Sequence, residues 1–186
     1  MSRRFVLLDR DGTINEEVGY VLRPQELRLI PGALPALRSL QDLGLGLVVV
    51  TNQSPIGRGT LTEDGLEEIH RRLRELLAEG GVTLDGIEHC PHRPDEGCAC
   101  RKPRTAMVER AAATHGFDPA RAWMVGDHAG DVELGRAVGA RTILLLTGHG
   151  PEELEGGAGA HADHVVADLA AAAEVIRADA MAGAGA

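Results

Sequence analysis

Lysine is nearly absent from this chain, with Lys102 alone against 18 arginines in 186 residues. Aromatic residues are scarce too, limited to Phe5, Tyr20, Phe117 and Trp123, and 28 acidic side chains against 19 basic ones leave a formal net charge of −9. Nucleic-acid binders need a basic surface and, for single strands, aromatic faces on which bases stack. The chain lacks both, so nucleic acid is not an expected partner. No apolar run approaches the ~18 residues of a membrane-spanning helix. The run Phe5–Leu8 is stopped by Asp9 and Asp11, short of the ~7–15 apolar residues of a signal-peptide core. The expectation is a cytoplasmic protein with no membrane partner. Three cysteines are an odd number, and a chain of this length needs no disulfide framework to hold a core. The remaining composition, 44% hydrophobic and 25% charged, is that of one globular domain.

Short apolar runs alternate with segments of helical period. Phe5–Leu8, Leu45–Val50, Gly86–Cys90, Ala122–Val125, Thr142–Leu146 and His164–Val166 read as strands, most without polar alternation, as expected where both sheet faces are covered. Thr62 is a candidate N-cap for a helix whose stripe is Leu66, Ile69, Leu73, Leu76 and Leu77, ended by Gly80-Gly81. Further helices are predicted over 32–43, 104–115, 130–138 and 168–177. Alternation of this kind predicts an α/β fold with a doubly wound parallel sheet. One domain is expected over 1–178, with 179–186 as a disordered small-residue tail and Glu155–Ala160 as a loop. His70 and His115 are expected at the surface, Trp123 in the core.

Ligands of open α/β sheets bind beyond the carboxyl ends of the strands, and here those ends are polar: Asp9-Arg10-Asp11-Gly12-Thr13, Thr51-Asn52, and Gly126-Asp127-His128 followed by Asp131. Carboxylates brought that close repel one another unless a cation lies between them, and an all-oxygen ligand set favours a hard ion such as Mg²⁺. Asp9 and Asp11, two apart, face one side of an extended strand. One carboxylate can attack a phosphorus atom while the other handles protons. The transferring group needs donors and positive charge around its oxygens, which Thr51, Asn52 and a cation can supply. Lys102 stands out as that cation, because a compact ammonium fits beside a carboxylate and a metal where a planar guanidinium does not.

In that order these segments, with Lys102-Pro103, resemble the four motifs of the haloacid dehalogenase superfamily of phosphatases, across residues 5–131. The resemblance implies a Rossmann-like fold, Asp9 as nucleophile, Asp11 as general acid/base, and Thr51 and Lys102 as stabilisers of the phosphoryl group. It also implies Mg²⁺ held by Asp9, the Asp11 carbonyl and Asp127, with Asp131 behind them.

The cysteines form a second constellation. Cys90, His92, Cys98 and Cys100 supply three thiolates and one imidazole within eleven positions, the ligand set of a tetrahedral Zn²⁺ site with no open position, hence a structural one. His89 is expected to point away, since neighbouring strand residues face opposite sides. The zinc loop 90–100 leads straight into Arg101 and Lys102. With it, the chain resembles the heptose-bisphosphate and histidinol-phosphate phosphatases of that superfamily. Asn52–Gly59, Gly19-Tyr20 and Leu146–Gly148 are of the heptose type, whereas Pro55 and the short His92–Cys98 spacing depart from it. The heptose type implies removal of the 7-phosphate of D-glycero-D-manno-heptose 1,7-bisphosphate, and histidinol phosphate is the alternative substrate. By the resemblance, Glu17, Val18, Gly19, Tyr20, Asn52, Gln53, Ser54, Arg58 and Arg101 contact substrate. The gaps between Thr13 and Thr51 and between Asn52 and Cys90 have no room for a cap domain. A capless monomer is therefore expected, acting on a small phosphorylated sugar held by a local basic cluster of Arg58, Arg101, Lys102 and Arg104.

Overall fold

Phe5–Leu8 (β1) contains no polar residue because both of its faces are covered. Phe5 and Leu7 pack with Met107, Val108, Ala111 and Leu134 in one layer. Val6 and Leu8 pack with Leu37, Leu40, Leu66, Ile69, Leu73, Leu77 and Ile176 in the other. Each such side chain contributes about 1.5–3 kcal/mol by leaving water, which is what holds two helical layers onto one sheet.

The computed structural model describes residues 3–182. After β1 come α1 (Ala33–Asp42), β2 (Gly46–Asn52), α2 (Ser54–Gly57), α3 (Glu63–Glu79), β3 (Gly86–Cys90), α4 (Ala106–His115), β4 (Trp123–Gly126), α5 (Ala129–Ala137), β5 (Arg141–Leu145), α6 (Gly150–Glu155), β6 (His164–Val166) and α7 (Leu169–Ala182). All strand pairings are parallel, in the order β3-β2-β1-β4-β5-β6. The strand order reverses between β1 and β4, and a crevice at such a reversal is where ligands of this architecture bind. Among the described residues the connections between β1 and β2 and between β2 and β3 hold only loops, short turns and α1 to α3, so no cap covers that edge. No described helix is long and apolar enough to cross a membrane.

Each expected strand and helix is present, and Thr62 caps α3 by accepting from the Gly65 amide at 3.0 Å. Three expectations need correction. His70 is buried at 2% exposure rather than at the surface, because α3 turns it under the sheet edge. There burial, with the charge of Arg10, pushes its pKa down to about 3 and keeps the ring neutral. Residues 179–182 are not disordered, since α7 runs to Ala182 and Asp179 accepts from the Trp123 indole at 3.2 Å. Residues 183–186 of that tail lie outside the described residues. Finally, within the expected loop Glu155–Ala160, α6 ends at Glu155 and Ala158–Ala160 form a short 3-10 turn.

Candidate active site

β1 and β4 are neighbours, so the residues that follow them meet: the Asp9 amide donates to the Val125 carbonyl at 2.9 Å. The carboxylates of Asp9, Asp127 and Asp131 offer oxygens within 4.8 Å of one another. Glycine makes that approach possible. A Cβ on Gly12, whose φ is +74°, would stand 2.1 Å from Asp127 Oδ2, and one on Gly126 would stand 2.1 Å from Asp131 Oδ2. Neither separation is sterically tolerable, and the left-handed φ of Gly12 is itself unfavourable for other residues.

Lys102 enters this cluster from the loop before α4. Its Nζ lies 2.8 Å from Asp9 Oδ1 and 2.6 Å from Asp131 Oδ1, and it donates to the Val50 carbonyl at 2.9 Å. Three acceptors around one nitrogen suit an ammonium and not a guanidinium, which accounts for the single lysine of the chain. Burial alone would lower its pKa, but Asp131 and Asp9 outweigh that and hold it above the ordinary lysine range. Asp9 is raised to about 6 by burial, against the pull of Lys102. Asp127 has no such cation. Burial, with the charges of Asp9 and Asp131, pushes it up to about 8, and its Oδ2 accepts the His149 amide at 2.8 Å. A divalent cation would relieve this repulsion, and hard oxygen donors fit Mg²⁺. Asp131 also contacts Lys102 and the His128 amide, 3.2 Å away.

Asp11 is not a member of the carboxylate cluster, although it borders the same cavity. The chain leaves the extended conformation after Leu8, and the Ile14 and Asn15 amides both donate to the Arg10 carbonyl, at 2.9 and 3.1 Å, so the carboxylate turns toward Arg10. Burial would raise its pKa, but Arg10 with hydrogen bonds from Asn15, Arg10 and Gln53 holds it below the usual carboxylate range.

The cavity, of about 390 Å³, is lined by Asp9, Asp11, Glu17, Gly19, Tyr20, Thr51, Asn52, Gln53, Arg101, Lys102, Asp127 and Asp131 among the expected residues. Three expected substrate contacts do not line it. Val18 is 53% exposed on the loop after β1, Ser54 is buried in the first turn of α2, and Arg58 is exposed at its end. Arg104 is also absent from the lining, its guanidinium being spent on the Gly97 and Cys98 carbonyls. Gln53 lines the cavity, yet its amide is engaged with Asp11, Thr51 and Arg10. Sequence reasoning placed His128 at this edge without giving it a role, and it missed Glu133 and His149, which also line the cavity. The cue was available for Glu133, two residues past Asp131. His149 reaches the rim because Gly148 lets the chain pass against Asp127.

Next to this cavity the Cys90, His92, Cys98 and Cys100 ligand atoms also gather within 4.8 Å. Their S···S separations are 3.0–3.6 Å, and His92 Nδ1 lies 3.3 Å from Cys100 Sγ and 3.6 Å from Cys90 Sγ. A tetrahedron with Zn–S bonds of ~2.3 Å has edges of ~3.7 Å, so the set fits zinc and no disulfide. His89 turns away to Glu63, 3.0 Å distant. The cluster is tied to the cavity through the backbone: the Gln53 amide donates to the Cys90 carbonyl at 2.7 Å, and Asn52 Oδ1 accepts the Lys102 amide at 3.0 Å.

The HAD-hydrolase-like family model matches residues 99–172, a span with Lys102 and Asp127 but not Asp9. A D-glycero-D-manno-heptose-1,7-bisphosphate 7-phosphatase of Thermosynechococcus vestitus is 42% identical, over 95% of this chain and 96% of its own length. A D-glycero-beta-D-manno-heptose-1,7-bisphosphate 7-phosphatase of Pseudomonas aeruginosa is 43% identical, over 83% and 87%. Among solved structures, the D,D-heptose 1,7-bisphosphate phosphatase of B. bronchiseptica, complexed with magnesium and phosphate, superposes with a TM-score of 0.89 at 36% identity, covering 95% of this chain and 99% of that one.

Proposed function

The chain belongs to the heptose-1,7-bisphosphate 7-phosphatase family of haloacid dehalogenase-like hydrolases, and from that premise we propose that it removes the 7-phosphate of D-glycero-D-manno-heptose 1,7-bisphosphate through an aspartyl-phosphate. The observation that carries the mechanism is the meeting of Asp9, Asp127 and Lys102 at the β1/β4 reversal. Asp9 Oδ1 is occupied by Lys102 at 2.8 Å and by the Arg10 amide at 2.7 Å, which leaves Oδ2 to attack phosphorus. The P–O bond to the sugar breaks as the Oδ2–P bond forms, and Asp11, which Arg10 holds ionised in the free site, takes up a proton from solvent on substrate binding and delivers it to the departing oxygen. In the second half, Asp11 takes a proton from a water that attacks the same phosphorus, and inorganic phosphate leaves Asp9 free. Lys102 and the Thr51 hydroxyl face the phosphoryl oxygens as charge accumulates there. Glu17, Gly19, Tyr20, Asn52 and Arg101 are the proposed substrate contacts.

Magnesium accompanies phosphate in the B. bronchiseptica structure, and Asp9, Asp127 and the Asp11 carbonyl are the groups proposed to hold it here. When bound it supplies Lewis-acid charge to the phosphoryl oxygens. Zinc at Cys90, His92, Cys98 and Cys100 is proposed as structural. The test is phosphate release from heptose bisphosphate and from histidinol phosphate, with Mg²⁺ and with a chelator. Higher kcat/KM on the heptose ester is expected, and a preference for histidinol phosphate would replace the proposed substrate. Asp9→Asn should abolish turnover while zinc content and a cooperative melting transition are retained; substantial residual turnover would remove Asp9 as nucleophile.

A further inference from the structure

Arg10 has no part in the chemistry described so far, and of the described arginines it alone is fully buried. Its Nη2 donates to both Asp11 oxygens, at 2.9 Å to Oδ1 and 2.8 Å to Oδ2, and its Nε to Oδ1 at 3.2 Å. Asn15 Nδ2 adds a bond to Oδ1 at 2.9 Å. Gln53 closes the arrangement: Nε2 donates to Asp11 Oδ2 at 3.0 Å and to Thr51 Oγ1 at 2.9 Å, while Oε1 accepts from Arg10 Nη2 at 3.3 Å. The amide can point only one way, because a carboxylate accepts and a guanidinium donates. Thr51 therefore receives the Gln53 proton and keeps its own hydroxyl proton for the cavity.

A buried ion pair gains little net stability, since desolvation consumes most of its Coulomb energy. Stability is thus a weak reason to bury an arginine here. Control of geometry is a strong one, because a planar fork fixes a carboxylate in orientation as well as position. We propose that Arg10 and Gln53 are positioning residues, which hold the Asp11 carboxylate and the Thr51 hydroxyl at fixed places on the cavity wall. Asp11 then meets the leaving oxygen and Thr51 the phosphoryl group. This assignment rests on the phosphatase reading above, and it moves Gln53 from substrate contact to support.

The test compares leaving groups in the zinc- and magnesium-loaded enzyme. An alkyl phosphate, here heptose bisphosphate, needs its departing oxygen protonated; p-nitrophenyl phosphate releases a stable phenolate that does not. Arg10→Lys keeps the charge and loses the fork. It should lower kcat/KM on the alkyl ester by about 10- to 100-fold and on the aryl ester by less than about threefold, the range expected when proton transfer is misaligned. In the Asp11→Asn background the same change should cost less than about twofold, since the group it positions no longer carries a proton. Equal losses on both esters, or losses that multiply onto Asp11→Asn, would overturn the proposal, because packing damage does not discriminate leaving groups. Should Arg10→Lys lack a cooperative melting transition, Gln53→Ala leaves the ion pair in place but also frees Thr51, so it should lower kcat/KM on both esters and by a further severalfold on the alkyl one; an equal loss on both would overturn the proposal. No phosphate release from either ester by the parent enzyme would instead remove the phosphatase reading, and this assignment with it.

Discussion

Replacing Lys102 by methionine would remove one charge and leave a side chain of similar length. Asp9 and Asp131 would lose a cation at 2.8 and 2.6 Å, and the Val50 carbonyl a donor at 2.9 Å. Stripping one partner from a buried ion pair costs about 3–5 kcal/mol, because the other charge stays buried, and the orphaned carbonyl adds about 1 kcal/mol. At about 2–4 °C per kcal/mol for a domain of this size, melting should fall by roughly 8–24 °C. The pH dependence has a definite sign. Asp9 already stands at about 6 with Lys102 opposing the effect of burial, so losing the lysine sends Asp9 and Asp131 higher still. A carboxyl whose folded pKa exceeds its unfolded one destabilises the fold as it ionises. The deficit should therefore be smaller at pH 5 than at pH 8. Thermal unfolding by circular dichroism in magnesium-free buffer at both values, with zinc content verified, measures this. Melting within about 2 °C of the parent at pH 8, or a larger deficit at pH 5, would refute the reasoning.

Asp127 predicts a metal-dependent pH effect. Its folded pKa of about 8 lies above the unfolded value, so stability is retained at low pH and lost as pH rises toward 8. His70, held at about 3, acts in the opposite sense, with stability lost as pH falls from about 6.5 through 3. Between pH 6.5 and 8 His70 stays neutral and Asp9, at about 6, is already mostly ionised, so with zinc loaded Mg²⁺, which binds the ionised carboxylate, should raise Tm more at pH 8 than at pH 6.5; equal increments would contradict the assignment. Zinc removal should act on the catalytic edge, since Lys102 is two residues past Cys100. Elemental analysis should find one zinc per chain, and Cys98→Ser should lower both Tm and turnover. A zinc-free protein with unchanged Tm would show that the Cys/His cluster bears no structural metal.

Much of this was legible in the chain itself, for physical reasons visible in single residues. A strand covered on both faces must be apolar throughout, so Phe5–Leu8 could be read directly, as could the polar residues that end it. Thr62 announced α3 because capping is a bond to a backbone amide three residues away. The zinc ligands lie within eleven positions, and one loop can gather them. Lys102 was conspicuous because nothing else in the chain uses lysine. The resemblance put Arg58 among the substrate contacts, and the sequence does not reveal that α2 carries it to solvent outside the cavity lining.

Other features depended on residues far apart in the chain. Nothing in the string Asp9-Arg10-Asp11 tells that Arg10 is buried and folds back onto Asp11, or that Gln53, 42 positions on, joins them. The burial of His70 and the anchoring of Asp179 to Trp123 likewise arise from packing between elements. Local periodicity and the chemistry of strand ends determined the elements, their parallel direction and the polar groups that gather at one edge of the sheet. Only the tertiary structure decided which of those groups face the cavity and which hold others in place, because hydrogen-bond partners are chosen by distances that chain spacing does not encode.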